Sequence, residues 1–228
     1  MALRVLAVAA LVAVAPAAAT QPSELERLPT GAKVVALTFD GGADAGGAWR
    51  IVATLRRTHV PATFFVSGQW ARRYPRLTRM IARRYELGNH TYDHVALTHL
   101  SSPAVRSELK RGAYWIRKIA HVNPWPLFRF PYGDRDARTL AIVHSLGYVS
   151  VRWSLDTWGW MGTAGGQSTS TVLERVKSHL RRGDIVLMHL GAGRDGSELD
   201  ARALPAVIRA IRRRGFRLVE LRPYLHLR

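Results

Sequence analysis

His90 and His94, in the run Gly88-Asn89-His90-Thr91-Tyr92-Asp93-His94, are the side chains of this sequence whose type and spacing best suit chemistry. Two imidazoles four positions apart reach one ion if the backbone between them curls into a turn, and they then supply two-thirds of a three-ligand site. The spacing alone is a weak signal, because a basic chain with 9 histidines produces such pairs by chance and exposed, unliganded imidazoles are the plain alternative. Their company gives them weight. Asp40 closes an apolar run upstream, and Arg129, Asp156 and His189 each lie within or just after an apolar run downstream. Polar groups of these types, repeated at the ends of apolar segments, make the layout of an enzyme.

The elements that must position them alternate along the chain. Residues 33–39 (KVVALTF) form a β-branched apolar run that reads as a buried strand, and residues 48–58 carry helical periodicity through Trp49, Ile51, Val52 and Leu55. A strand is expected at 63–66, a helix at 74–85 and a short strand at 86–88 that delivers the histidine pair. Pro103, near a helix start, opens an amphipathic segment to about residue 120. The pattern continues with strands at 127–130, 148–153, 185–188 and 217–221 and helices at 135–146, 171–180 and 204–214. Gly147, Gly183 and Gly215 suit helix C-caps. Repeated strand and helix units imply parallel strands, and their number favours an α/β barrel over an open sheet. Asp40, His90, Arg129, Asp156 and His189 then all fall at the carboxyl ends of strands, the edge where barrel active sites collect.

Composition bounds the rest. A chain of 228 residues with 47% hydrophobic content buries a sizeable core as one domain. Met1-Ala2-Leu3-Arg4, the apolar stretch from Val5 to Val14 and Pro16-Ala17-Ala18-Ala19 have the order of a secretory signal, with cleavage expected after Ala19. The apolar run is shorter than the ~20 residues of a spanning helix. The expected organisation is a signal peptide at 1–19, a short polar segment at 20–32 and a single catalytic domain at 33–228, secreted or associated with a cell wall. With 0 cysteines, any metal site must use imidazole, carboxylate and water. The charge of +18 favours anionic surfaces such as wall polymers, acidic lipid or nucleic acid. The arginine pairs, however, are scattered near the ends of expected helices, where cations also suit the helix dipole, so a solvated surface is expected rather than specific nucleic-acid recognition. The protein is expected to be a monomer.

Five ordered motifs carry a resemblance from about Val34 to the carboxyl terminus. They are Thr38-Phe39-Asp40-Gly41-Gly42, His90-Thr91-Tyr92-Asp93-His94, Arg129-Phe130-Pro131-Tyr132, Asp156-Thr157-Trp158-Gly159-Trp160 and Leu187-Met188-His189. In this order they are similar to the motifs of the NodB-homology polysaccharide deacetylases, carbohydrate esterase family four. The resemblance implies a distorted (β/α) barrel and metal-dependent removal of an N- or O-acetyl group from a glycan such as peptidoglycan or a chitin-like polymer. It makes His90 and His94 metal ligands, with zinc the default ion and cobalt or manganese as alternatives. Asp40 becomes the general base, kept ionised by Arg129, and His189 the acid that protonates the leaving group, with Asp156 as its partner. The backbone N–H of Tyr132 would hold the oxyanion, and Trp160 and Leu187 would line the acetyl pocket. Each has a plainer alternative: Asp40 and Asp156 as turn formers, Arg129 as a surface cation, His189 as a core histidine, Trp160 and Leu187 as core.

One departure stands out. Where the family has a second aspartate, its third protein ligand to the metal, this chain has Gly41. Water could complete a more weakly held ion, Asp44 could swing in from the glycine-rich loop 41–47, or the protein could be a non-catalytic glycan binder with a degenerate metal site.

Overall fold

Strand β1 (Val34–Gly41) is buried along its whole length and organises the sheet around itself. The computed structural model describes residues 24–225, so the expected signal at 1–19 lies outside the described residues. The further strands are β2 (Thr63–Val66), β3 (Glu86–Asn89), β4 (Leu127–Phe128), β5 (Val149–Ser150), β6 (Leu155–Asp156), β7 (Asp184–His189) and β8 (Arg217–Val219). Their order is β5-β4-β3-β2-β1-β7-β6, every pairing is parallel, and β8 pairs with the start of β1. Between them run α1 (Ala48–Thr58), α2 (Gly68–Arg73), α3 (Pro75–Ala82), α4 (Ser102–Ala120), α5 (Ala137–Ser145), α6 (Thr169–His179) and α7 (Leu199–Arg213). This is the α/β distorted barrel that the sequence implies.

Strand alternation sorts the side chains. On β1, Val35, Leu37 and Phe39 face the helices and pack with Ile51 and Leu55 of α1 and with Val207 and Ile211 of α7. Val34 and Ala36 face inward and meet Phe65, Leu127 and Ile185. The next two residues with inward parity on β1 are Thr38 and Asp40, so the inner face turns polar only at the carboxyl edge. Gly88 on β3 makes room within: a Cβ there would come 2.5 Å from the Phe65 ring.

The curl does not close by strand pairing, because β5 and β6 are the two ends of the sheet. A strap at 24–28 spans the seam. Leu25 bridges to Val151 and Arg27 to Asp184, and the Leu28 N–H donates to Gly183 O at 2.8 Å. Leu25 and Leu28 join the inner apolar cluster, while Glu24 pairs with Arg135 at 2.6 Å and Glu26 with Arg152 at 2.7 Å.

Several expected elements differ in extent. The helix expected at 74–85 is α3, which Pro75 opens and which ends at Ala82, and a further short helix, α2, precedes it, capped by the Ser67 hydroxyl, which accepts from Trp70 N–H at 3.1 Å. The strand expected at 148–153 shrinks to β5, with β6 following separately. The carbonyls of Val151 and Arg152 are taken by the Arg129 guanidinium at 3.1 and 3.0 Å. The helix expected at 204–214 starts earlier, at Leu199, and runs through Pro205.

Because Leu28 is 2% exposed and fills the seam, Leu28→Ala is expected to cost about 2–4 kcal/mol of stability, read as a lowered urea midpoint with an unchanged slope.

Candidate active site

Register brings the reactive groups together. Asp40 on β1 is the Cα partner of His189 on β7, and His90 and Arg129 follow β3 and β4 on the same edge. Arg129 is wholly buried and binds through every arm: Nη1 donates to Asp40 Oδ1 at 2.8 Å and to Thr38 Oγ1 at 2.9 Å, and Nε and Nη2 hold the two carbonyls across the seam. Its guanidinium lies 4.2 Å from the Phe65 ring centroid. Burial alone would push the Asp40 carboxyl up; Arg129, then His90 and His189, outweigh it and hold Asp40 below the ordinary carboxylate value.

The His90 Nδ1–H donates to Arg129 O at 2.7 Å, which leaves the Nε2 lone pair free. That Nε2 stands 3.2 Å from His94 Nε2 and 3.5 Å from Asp40 Oδ2. Both imidazoles are held neutral, His90 below its ordinary value by burial and His94 pushed down to about 3 by burial and by the neighbouring His90. Neutral imidazoles are the form that ligates a metal. Two nitrogens 3.2 Å apart subtend roughly 100° at an ion held by bonds of about 2.0–2.1 Å, so the pair fits a divalent ion. Gly42 admits this arrangement, since a Cβ there would lie 2.2 Å from His94 Cδ2.

No third side chain joins them: among the described residues no three His, Cys, Asp or Glu side chains are grouped to hold an ion. Asp44 is occupied elsewhere. Its Oδ1 accepts from Gly46 N–H at 2.7 Å and Ala192 N–H at 2.9 Å, which ties its loop to the segment after β7, so the structure does not bring it to the histidines. Gly41 is hemmed in as well, because a Cβ there would meet Leu190 Cδ1 at 3.0 Å and Trp70 Cε2 at 3.2 Å.

The carboxylate in contact with His189 is Asp200, and Asp156 acts on the imidazole from further away. Asp200, in the first turn of α7, is 3% exposed; its Oδ2 accepts the backbone N–H of His189 at 2.8 Å and lies 3.7 Å from the ring Nδ1, beyond hydrogen-bond length, and its Oδ1 accepts the Thr157 hydroxyl at 2.7 Å. Burial would lower the His189 pKa, but Asp200 first, with Asp40 and Asp156 behind it, raises it above the ordinary imidazole value. Asp156 instead accepts the Trp158 N–H at 2.9 Å, as a turn former does, and burial raises its pKa. Trp160 lies with its ring centroid 6.5 Å from that of His189, and Leu187 is buried two residues below His189, on the same face of β7. Tyr132 has φ 60° and ψ 2°, its ring packs edge-on to His94 at 4.8 Å, and the turn's hydrogen bonds run from Gly133 and Asp134 rather than from its own N–H.

Glu108 is a second residue that motif reading missed. It lies on the buried face of α4 beside Val105, Leu109 and Gly112, and Oε2 accepts the N–H groups of Tyr92 at 3.0 Å and Asp93 at 2.8 Å, fixing the turn between the histidines. A carboxylate in the apolar stripe of an amphipathic helix was the signal that could have found it. Asp200 gave less warning, since an acid in a first helical turn is ordinary.

Residues 27–151 match the family model described as Polysaccharide deacetylase, more than half of the chain. The chain belongs to the polysaccharide deacetylase family. It is 34% identical over 207 residues to a chitooligosaccharide deacetylase of a Bradyrhizobium species, covering 86% of this chain and 92% of that protein. Among solved structures it resembles the Bc1960 peptidoglycan N-acetylglucosamine deacetylase, with TM-score 0.82 and 26% identity over 90% of this chain and 94% of that one. It also resembles BA3943 of Bacillus anthracis, described as a carbohydrate esterase family four pseudoenzyme, with TM-score 0.80 and 26% identity over 90% of this chain and 70% of that one. The deacetylase fold thus includes both deacetylases and a pseudoenzyme, and this member has Asp40, His189 and the histidine pair together with glycine at 41.

Two outcomes are expected. In Asp200→Asn, the His189 pKa, followed by NMR of the imidazole, falls; since the wild-type value is raised, His189 is charged below it and loses its proton as pH rises through it. Gly41→Asp crowds Trp70 and Leu190 and lowers stability by about 1–3 kcal/mol in urea denaturation, whatever it does for metal binding.

Proposed function

We propose that this protein is a secreted hydrolase that removes acetyl groups from an N-acetylated polysaccharide of the peptidoglycan or chito-oligosaccharide type, with a divalent ion, zinc before cobalt or manganese, held by His90 and His94. One observation carries the reading: Asp40, whose pKa is lowered, and His189, whose pKa is raised, stand side by side as register partners on one edge, with two neutral imidazoles beside them. Environments that push two pKa values apart assign base and acid. Bound there, a divalent ion would supply Lewis acidity towards the acetyl carbonyl and water.

Asp40 takes a proton from the attacking water as the new carbon–oxygen bond forms. Arg129 keeps its Oδ1 engaged, so Oδ2, which faces His90, is the proton-accepting atom. The Tyr132 N–H is the donor for the developing oxyanion. His189 then gives its proton to the departing nitrogen as the carbon–nitrogen bond breaks, releasing acetate and an amine. Trp160 and Leu187 wall the methyl group from water. Secretion rests on the residue order at 1–19, and the anionic polymers of a cell wall suit the charge of +18.

Gly41, together with the likeness to BA3943, favours a second reading, a non-catalytic glycan binder. The test is acetate release from peptidoglycan, chitin oligomers and acetylxylan with added zinc, cobalt or manganese. Release that falls about 10²–10⁴-fold in Asp40→Asn, with stoichiometric metal lost in His94→Ala, is the expected result. Glycan binding indifferent to chelator, with no acetate from any substrate, would establish the second reading instead.

A further inference from the structure

The catalytic edge carries a cleft of about 410 Å³ beside the histidine pair, bordered by Gly42, Gln69, Trp70, Arg72, Arg73 and Tyr92. These residues come from the segments that follow β1, β2 and β3, so the cleft and the site open on the same side of the sheet. They also share a wall, because Gly42 lies against the His94 ring and Tyr92 belongs to the turn between the histidines. A polymer laid across the rim with one sugar at His90 and His94 has a place for a neighbouring sugar here.

The lining is cationic without a counter-charge of its own. Arg72 Nη1 donates to the Tyr92 hydroxyl at 2.6 Å, and its guanidinium lies 4.2 Å from the Trp115 ring centroid, so it is held in place with most of its N–H donors unspent. Arg73 lies beside the Tyr74 ring at 5.4 Å. Neither arginine pairs with a carboxylate among the described residues; the acid in this neighbourhood, Asp93, is engaged by Gln69 and, at 3.4 Å, by Arg111. A neutral hydroxyl or amide needs no pair of guanidinium groups, whereas a carboxylate or phosphate matches their planar forks.

We propose that this cleft is a subsite for an anionic substituent, a carboxylate or a phosphate, on a sugar next to the one that is deacetylated. The inference rests on the deacetylase reading for its polymer but concerns binding. General basicity is the rival explanation, and the protein carries its own control: a cleft of about 450 Å³ lined by Arg56, Arg57, His59 and Arg84 lies where α1 ends and β3 begins, at the opposite edge of the sheet.

The experiment is calorimetric titration of the intact protein with three tetrasaccharides of equal length: neutral chitotetraose, one bearing lactyl-ether carboxylates and one bearing phosphates. The wild type is expected to bind at least one charged glycan about fivefold more tightly than the neutral one, the range of one or two exposed ion pairs. Arg73→Gln, and Arg72→Gln with Arg73→Gln, are expected to abolish that preference, so that charged glycans bind no more tightly than chitotetraose, while a single cooperative urea transition reports an intact fold. Arg57→Gln is expected to keep the preference. Equal affinity for charged and neutral glycans in the wild type, a preference that survives the double substitution, or an equal loss in Arg57→Gln would each overturn the subsite. Acetate release without charge preference removes the subsite alone; charge preference without acetate release removes the deacetylase activity alone.

Discussion

The buried ion pair between Arg129 and Asp40 is the contact on which the rest of the structure depends. A guanidinium this deep is tolerable only with its donors satisfied, and here a carboxylate, a hydroxyl and two carbonyls satisfy it. Those acceptors belong to β1 and to the segment between β5 and β6, so the pair that keeps Asp40 ionised also joins parts of the sheet that do not pair with each other directly. Stability and reactivity are inseparable at this point. Truncating either partner strands a buried charge, a loss of about 3–5 kcal/mol.

Around that pair, backbone geometry does what side-chain chemistry alone could not. Of the six non-glycine residues with positive φ among the described residues, Thr91, His94, Tyr132 and Trp158 sit in the turns after β3, β4 and β6. A left-handed residue reverses the chain within one step, which lets short loops aim side chains and N–H groups back over the barrel mouth. Each such residue carries a conformational cost that the surrounding contacts must offset. Glu108 beneath the histidine turn and Asp200 beneath His189 supply contacts of that kind, two buried carboxylates that accept backbone N–H groups at the site.

Much of this was legible beforehand. The apolar run of β1, the helical periodicity of α1 and the placement of Asp40, His90, Arg129 and His189 at strand ends follow from local pattern, because each depends on a few neighbouring residues. What escaped depends on distant ones. The strand expected at 148–153 is broken where the guanidinium of Arg129, just after β4, takes its carbonyls, and the carboxylate nearest His189 comes from a helix eleven residues later rather than from a motif. Asp44 looked free to swing because its loop is rich in glycine; two N–H groups, one of them across the fold, decide otherwise.

The strap at 24–28 has a consequence for the order in which the molecule is made. It leaves the ribosome before any strand of the sheet, yet its partners at Ser150 and Asp184 lie 126 and 157 residues further on. The first described segment to be synthesised is thus among the last to find its place, and its loop-closure entropy is met only when nearly the whole chain is available. Until then the inner apolar face around Phe65 and Ile185 lacks its cover. The seam therefore closes only once β7, late in the sequence, is available to receive the strap.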